Sequence, residues 1–433
     1  MQTIFALIRN CYFRNDWQNV IIAIYHAINT RRDKTVADKK DFKTVEISSE
    51  AQEELEQQIR RHRHKIVRRV IIGVFVIALL FAGAQLWNAL RSYDSYEIRN
   101  KTEQQDSGSA KYETFLGKTL EYNNDGIVYR NSDDELIWNQ SFEMSTPMLS
   151  ICENYLAIYD QGGTSIYIMT TTGLSKKIET STPISTVCVA NQGTVAVLMK
   201  EDNVSTVCMY DRKGNQLTNG EFYAEKGSFP VDIALSYDAQ KLAVDMLDVK
   251  EGKVSSTISF YNFGSVGQNE IDNNVGTYTY EDTFISEISY VAADRMVALT
   301  DAGFLVFEGT QKPALKRQVD FEQEVQSVFC NNKYVGITYA STKNEGSWHI
   351  QVYDLNGNTA MENDTTIAYN RIEFLDNNEV CVRDDYHCEI YTIHSIRKFS
   401  YTFDQELYKI LSGTDATSYT FVLSGETDEV RLR

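Results

Sequence analysis

The feature that most constrains this fold is a unit that recurs along the C-terminal part of the chain. Each unit is an apolar run with β-type residues, a short polar turn and a second apolar run. Seven units occur, at residues 148–160, 184–199, 231–246, 285–300, 325–340, 369–384 and 408–423. A four-stranded unit repeated every ~40 residues is typical of a β-propeller, because one small sheet cannot bury both of its faces alone. We therefore predict a mainly β chain whose C-terminal part is a propeller of about seven four-stranded blades, with six and eight as alternatives.

The two ends of this repeat predict how the ring closes. The last unit reaches Arg433 with about three strands, and residues 126–142 precede the first unit like a pair of outer strands. Pairing the N-terminal and C-terminal strands in one blade would remove exposed edges and lock the ring. We therefore predict closure by strands from both ends of the propeller.

Two turns share the same residues at the same spacing. Asp211 and Gly214 lie in YDRKGN, and Asp354 and Gly357 lie in YDLNGN. An Asp that opens a turn and a Gly that accepts a left-handed conformation predict a type I turn with a bulge, joining two outer strands. A calcium loop is the alternative, but regularly spaced acidic ligands and a distal Glu are missing.

The N-terminal part has a different character, because residues 70–90 contain no charged side chain. A helix of this length reaches ~30 Å, the hydrocarbon thickness of a bilayer. Cations crowd the preceding side and predict that it is cytoplasmic: Arg60, Arg61, Arg63, Lys65, Arg68 and Arg69. A buried core helix and a cleaved signal peptide are the alternatives. The second is disfavoured by the 69 residues that precede the run.

These patterns predict four segments. Residues 1–69 form a basic, helical cytoplasmic region, residues 70–90 a transmembrane helix, residues 91–112 a stalk, and residues 113–433 an extracytoplasmic propeller. The acidic excess beyond residue 69 argues against a nucleic-acid ligand, which needs a basic surface. The predicted location is the cell membrane, with a single span and the propeller outside the cell.

The cysteines of the outer part raise the question of a disulfide. Cys381 and Cys388 flank the turn at Asp384 and Asp385 and would meet across a hairpin. Several of the other cysteines lie in alternating apolar runs, where Cys behaves as a small buried hydrophobe. Free buried thiols are therefore the main expectation, with a Cys381–Cys388 disulfide as the alternative.

The segment YRNSDDELIWNQSF resembles the end of a quinoprotein-type blade, in which a turn precedes a strand with a docking Trp, here Trp138. The whole chain resembles an uncharacterised family of single-pass membrane proteins from Firmicutes with an extracellular quinoprotein-like propeller. The resemblance implies a fold and a location. It implies no catalytic residues.

No motif predicts chemistry. HExxH, GxSxG, a phosphate-binding Gly-Lys loop and CxxC are all missing from the sequence. His387 and Cys388 are neighbours, but neighbours on a strand point to opposite faces and do not form a nucleophile–base pair. We therefore predict no catalytic residue, no metal ligand, no cofactor and no enzymatic activity.

The leading hypothesis is a non-catalytic binding or scaffold module for a protein or an envelope glycan. The alternatives are a propeller enzyme acting on carbohydrate or lactone, and an envelope sensor that signals through a cytoplasmic partner.

Overall fold

In a computed structural model, the chain divides into two units, Met1–Gln85 and Leu86–Arg433. The structure describes residues 62, 68, 69, 71–76, 91–103, 110–131, 135–224, 228–250, 252–342 and 345–433.

The described residues of the first unit are helical. Almost all of the helical region predicted at 1–69 lies outside the described residues, including the cations Arg60, Arg61, Arg63 and Lys65, as does most of the span predicted at 70–90. Among the described residues, no helix combines the length and the apolar character needed to cross a membrane.

The described residues of the second unit form thirty-two strands in eight four-stranded antiparallel sheets. Strand β1 (Tyr96–Glu103) belongs to the last sheet, and the other strands follow in chain order. Blades 1 to 4 contain β2 (Lys111–Phe115), β3 (Lys118–Asn123), β4 (Gly126–Arg130), β5 (Leu136–Ser141); β6 (Pro147–Cys152), β7 (Tyr155–Asp160), β8 (Ser165–Thr170), β9 (Gly173–Glu179); β10 (Ile184–Val189), β11 (Val195–Glu201), β12 (Val204–Tyr210), β13 (Gln216–Tyr223); β14 (Ser228–Leu235), β15 (Lys241–Lys250), β16 (Lys253–Asn262), β17 (Asn274–Glu281).

Blades 5 to 8 complete the ring. They contain β18 (Ile285–Ala292), β19 (Arg295–Thr300), β20 (Gly303–Glu308), β21 (Ala314–Asp320); β22 (Ser327–Cys330), β23 (Tyr334–Ala340), β24 (Trp348–Asp354), β25 (Thr359–Thr365); β26 (Arg371–Phe374), β27 (Val380–Arg383), β28 (His387–Tyr391), β29 (Arg397–Thr402); β30 (Leu407–Ser412), β31 (Ser418–Leu423), β32 (Glu426–Leu432) and β1. We letter the strands of each blade A to D from the innermost outward. Two short 3-10 helices, Gly267–Asn269 and Ile271–Asn273, lie between the C and D strands of blade 4.

The predicted number of about seven blades is wrong, because the described strands form eight. The seven repeated units correspond to the A–B hairpins of blades 2 to 8. The missed hairpin is β2–β3 of blade 1, whose sequence KYETFLGKTLEYN interrupts the apolar alternation with charges. Residues 126–142, predicted to complete the closing blade, instead supply β4 and β5 of blade 1.

The first strand of the propeller does pair with its last strand, but through other residues than those predicted. Strand β1 lies antiparallel to β32, with Tyr96 opposite Leu432 and Glu103 opposite Glu426. This strand comes from residues 91–112, which we predicted to be a stalk, and β2 also begins within that range. The predicted stalk is therefore corrected to an entry segment and two strands.

Apolar side chains from both neighbours fill seven of the eight junctions between blades. In blade 3, for example, the run Val195–Met199 is buried on both faces: Val195, Val197 and Met199 face blade 2, whereas Ala196 and Leu198 face blade 4. This arrangement follows from the alternation of side chains along a strand. Comparable clusters join blades 1–2, 4–5, 5–6, 6–7 and 7–8.

The outer C–D hairpins of blades 1 to 7 repeat one irregularity. In each of them the pairing shifts register once, close to the turn. A bulge at this position bends the outer strand and increases its twist. The repeated bulge helps each blade to follow the curvature of the ring.

Candidate functional site

The loops of the propeller lie on two opposite faces. Since each blade is an antiparallel meander, its AB and CD turns meet at one end, and its BC turn and its DA connection to the next blade meet at the other. We call these ends the AB/CD face and the BC/DA face.

The BC/DA face is strongly acidic. Its described loops contain twelve carboxylates and no Lys or Arg, and all twelve are exposed except Asp384, which is half-buried. These carboxylates are Asp125, Glu143, Asp202, Asp282, Asp301, Glu322, Glu324, Glu345, Asp384, Asp385, Asp404 and Glu406. Such a distribution produces a negative potential over one end of the ring.

Two aromatic side chains project among these charges. Phe284 lies in the connection between blades 4 and 5 and is 40% exposed, and Tyr386 lies in the BC turn of blade 7 and is 48% exposed. Exposed rings of this kind often serve as anchors in protein interfaces.

The AB/CD face carries both signs of charge. Its described loops include Arg212, Lys213, Lys312 and Lys333 beside scattered acids. The chain also enters the propeller here. The hydroxyl of Ser95 donates to the backbone oxygen of Arg433 at 3.0 Å, and the Arg433 amide donates to the Ser95 oxygen at 2.9 Å.

The predicted blade turns lie on the AB/CD face as CD hairpins. In one, the Asp211 carboxylate accepts the amides of Lys213 and Asn215, and Gly214 has a φ of 83°. The Asp354 turn repeats this pattern, with acceptance from Asn356 and Asn358 and a φ of 81° at Gly357. These contacts give both Asp residues a role in the turn, with the carboxylates occupied by backbone amides.

In the part of the chain that the structure describes, no three His, Cys, Asp or Glu side chains are grouped to hold a metal ion.

A small cavity of about 300 Å³ opens on the central channel between blades 2 to 6. Cys152, Cys188, Cys330 and Glu287 contribute to its wall. Burial raises the pKa of the Cys152 and Cys330 thiols to about 12 and also raises the pKa of Cys188. Such thiols stay protonated at neutral pH and are poor nucleophiles.

Two carboxyl groups, one half-buried and one fully buried, face each other beside this channel, in the junction between blades 4 and 5. Asp232 lies opposite Asp245 across the β14–β15 pair. Asp232 accepts the amides of Ile233 and Ile288 at 2.9 Å each, yet burial raises its pKa to about 6. Asp245 is fully buried, and neither of its carboxylate oxygens has a hydrogen-bond partner. Burial, with a contribution from the charge of Asp232, raises the pKa of Asp245 to about 8.

A cavity of about 580 Å³ opens between blades 8 and 1 on the AB/CD face. Its wall includes Arg99 and Glu429 from blade 8, Leu116 and Lys118 from blade 1, and Asp376 from blade 7. Both signs of charge therefore line this cleft.

A charged network joins the inner strands beside the cleft. The buried Lys409 ammonium in blade 8 lies 3.1 Å from Glu113 in blade 1 and 2.7 Å from Glu373 in blade 7. Burial alone would lower the pKa of Lys409, but the Glu373 and Glu113 carboxylates outweigh it and raise the pKa. The ammonium is therefore charged at neutral pH and links three blades.

The structure does not contain the Cys381–Cys388 disulfide, because both residues are free, fully buried thiols. Cys381 lies opposite Ile390, and Cys388 lies opposite Arg383, so the two thiols are offset by two residues across the hairpin. Diagonal neighbours are farther apart than directly opposed ones, which explains the absence of a bridge. His387 is exposed and its Nδ1 lies 2.9 Å from the Asp384 carboxylate, so it is directed away from the buried Cys388.

No curated protein matches the chain. Among solved structures, it is similar to BamB from Moraxella catarrhalis, with 10% identity and a TM-score of 0.45 over 78% of this chain and 100% of that chain. It is also similar to the Pan2 WD40 domain of Neurospora crassa, with 9% identity and a TM-score of 0.41 over 79% and 97%. It is also similar to BBS1N, solved in complex with ARL6DN, with 10% identity and a TM-score of 0.40 over 79% of this chain and 98% of that chain. All three scores lie below 0.5.

A match to a protein family covers residues 89–432, which is most of the chain and includes the entry segment, β1 and all eight blades. The family is described as a family of unknown function. The chain therefore belongs to this family, DUF5711.

Proposed function

We propose that the propeller is a non-catalytic protein-binding module whose BC/DA face receives a basic partner. The observation that carries this proposal is the set of twelve carboxylates, without a described Lys or Arg, in the loops of that face. A fold alone does not define function, so the proposal depends on the surface chemistry of this chain.

The chemistry of the BC/DA face favours a particular kind of partner. A negative potential accelerates the encounter with a positively charged protein and repels anionic surfaces. Phe284 and Tyr386 supply apolar anchors, which charges at a solvated rim do not provide. A basic protein therefore suits this face better than an anionic envelope glycan does.

The proposal includes a location at the cell membrane with the propeller outside. Its support is the uncharged run at 70–90 with the cations that precede it. The chain enters the propeller on the AB/CD face, at Ser95 and Arg433.

Charge reversal on the two faces tests this function. Glu322→Lys combined with Glu324→Lys changes the BC/DA face, whereas Glu153→Lys combined with Asp294→Lys makes the same change in charge in the AB turns. Full-length chains crosslinked in cells should lose their main partner with the first pair and retain it with the second. Equal retention by both pairs would contradict the proposed face, and turnover of an envelope polymer by the purified chain would contradict the non-catalytic role.

A further inference from the structure

Residues 91–103, which we call the strap, contact two blades in succession. Tyr93 is 7% exposed and forms a parallel bridge with Phe399 in the outer strand of blade 7. Its amide donates to the Lys398 oxygen at 2.7 Å, and its oxygen accepts from the Ser400 amide at 3.2 Å. The chain then continues as β1, the outer strand of blade 8. The strap therefore joins the outer edges of blades 7 and 8.

Aromatic contacts fasten the strap to the apolar cluster between these two blades. The ring of Tyr96 lies 4.9 Å from Tyr401 of blade 7 and 5.1 Å from Phe421 of blade 8, both edge-to-face. Edge-to-face pairs add stabilisation beyond simple burial. Tyr93 belongs to the same cluster, which also contains Cys381 and Cys388.

The other side of blade 8 has weaker apolar contacts. Its cluster with blade 7 uses residues such as Phe421 and Val430. Alternation therefore directs the other face toward blade 1, and that face carries Thr420, Thr427 and Glu429 together with the buried Val422. Among the described residues, no apolar cluster joins blades 8 and 1.

Blade 1 has a matching polar surface. Its cluster with blade 2 uses Leu120 and Tyr129, so Thr119, Glu121 and Arg130 are directed toward blade 8. The 580 Å³ cleft lies between these two surfaces. Inner-strand contacts bridge them, namely the Lys409–Glu113 ion pair and the stacked rings of Tyr112 and Tyr408 at 5.9 Å.

We propose that the strap is a releasable fastener for blade 8, and that its detachment lets β30–β32 swing away from blade 1 while blades 1 to 7 stay packed. Among the described residues, blade 8 shares an apolar cluster with blade 7 only, and two tyrosines of that side belong to the strap. Detachment removes those tyrosines and the outer strand together. Opening this side exposes Val422 and Leu411 but separates no described apolar cluster shared by two blades, so it costs less than separating any other pair of blades.

The position of the strap gives the device a trigger. The strap follows directly after residues 70–90 in the sequence, so a pull transmitted along the chain from its N-terminal side acts first on Tyr93 and then on β1. Arg99, the bulged residue of β1, lines the cleft. Release of the strap therefore also changes the cleft between blades 8 and 1.

Native thiols report on this opening in the full-length chain. Cys388 lies under the strap in the cluster between blades 7 and 8, whereas Cys152 and Cys208 lie between blades 2 and 3. With Tyr93→Ala combined with Tyr96→Ala, alkylation of Cys388 followed by mass spectrometry should accelerate about tenfold or more, because local opening becomes easier. Cys152 and Cys208 should keep their wild-type rates. Tyr223→Ala, at a tyrosine that is 60% exposed, is the matched control and should change none of them.

A second measurement uses a covalent lock and does not depend on the folding of the tyrosine variant. Thr102 and Thr427 lie directly opposite each other in β1 and β32, so Thr102→Cys with Thr427→Cys can tie the strap down. In mild urea, Cys388 of the reduced form should be alkylated before Cys208. In the oxidised form, Cys388 should no longer be alkylated earlier than Cys208. Simultaneous alkylation of the two native thiols in the reduced form, or an unchanged order after oxidation, would overturn the proposal.

Discussion

Seven junctions of the ring and the eighth solve the same problem in different ways. From blade 1 to blade 8 along the chain, each blade shares a buried apolar cluster with the blade that follows it. Phe260 and Phe307 illustrate this for blades 4 and 5. The junction of blade 8 with blade 1, which we call the seam, has a cleft, an ion pair and two stacked tyrosines instead. The ring is therefore held by burial along the chain and by strand pairing and charge at its closure.

This difference shows what β1 contributes. Pairing with β32 satisfies an edge that would otherwise be open, and it fastens the ring without a large apolar surface. A closure of this kind permits local opening, whereas an apolar junction resists it. The predictions below compare the two kinds of junction.

The largest effect is expected from emptying an apolar junction. Phe260→Ala removes a fully buried ring between blades 4 and 5, and such truncations cost about 3–5 kcal/mol of unfolding free energy. Urea denaturation followed by fluorescence measures this loss. Phe284→Ala, at an exposed ring on the BC/DA face, serves as the control and should cost much less. Similar losses for the two variants would contradict the importance assigned to the apolar junctions.

The same junction contains the unpartnered Asp245, which predicts an unusual pH dependence. Because the pKa of Asp245 is raised to about 8 in the folded protein, its contribution is most favourable below the unfolded pKa of ~4 and is lost as pH rises toward 8. The neighbouring titratable groups Asp232, Glu287 and Lys200 are all still present in the Asp245→Asn variant. Asp245→Asn should therefore be more stable than the wild type at pH 8 by several kcal/mol, with little difference at pH 4.

Urea unfolding across this pH range is the measurement, and Asp282→Asn on the exposed BC/DA face is the control. A wild-type chain whose stability rises from pH 4 to pH 8 relative to Asp245→Asn would show that Asp245 is charged and well solvated.

At the seam, removing the charge of Lys409 should lower the unfolding free energy more than removing the ring of Tyr112. Lys409→Met leaves the Glu113 and Glu373 carboxylates without their buried partner and should cost about 2 kcal/mol. Adding Glu373→Gln should restore part of this loss, because one uncompensated charge disappears. Lys316→Met removes a lysine that is 65% exposed and should be close to neutral. If the single Lys409 variant were as stable as the wild type, the network would not be holding the seam.

The smallest effect is expected for the stacked pair at the seam. Tyr112→Ala should cost about 1 kcal/mol, since an aromatic pair at a hydrated contact contributes little beyond its burial. Thermal unfolding of Tyr112→Ala and of Phe260→Ala, measured side by side, compares the two losses of stability directly. A loss as large as that of Phe260→Ala would mean that the seam is an apolar junction after all.

The polarity of the seam also explains which parts of the fold the sequence predicted. The A–B hairpins of blades 2 to 8 have buried, alternating apolar residues and were recognised. The first hairpin of blade 1 borders the seam, and Glu113, Lys118 and Glu121 break its pattern, so one blade was missed. Strand β1, with the sequence YEIRNKTE, is mostly exposed, so its polar pattern predicts a stalk and not a strand.

The acidic BC/DA face was not predicted, because its carboxylates come from separate loops far apart in the sequence. Only the strand register shows that the connection at Glu322 and the turn at Asp385 lie on the same face. The overall acidity of the propeller was visible in the composition. Its concentration in loops without a described cation depends on the strand order, which decides the face on which each loop lies.

Native-state hydrogen exchange of the full-length chain, read by mass spectrometry, tests most directly whether the ring has one weak junction. We predict that amides of β1 and β30–β32 exchange through a local opening of lower free energy than amides of β10–β12, which lie between two apolar junctions. Exchange of both regions through the same global unfolding, at the same urea dependence, would contradict the distinction between the seam and the other seven junctions.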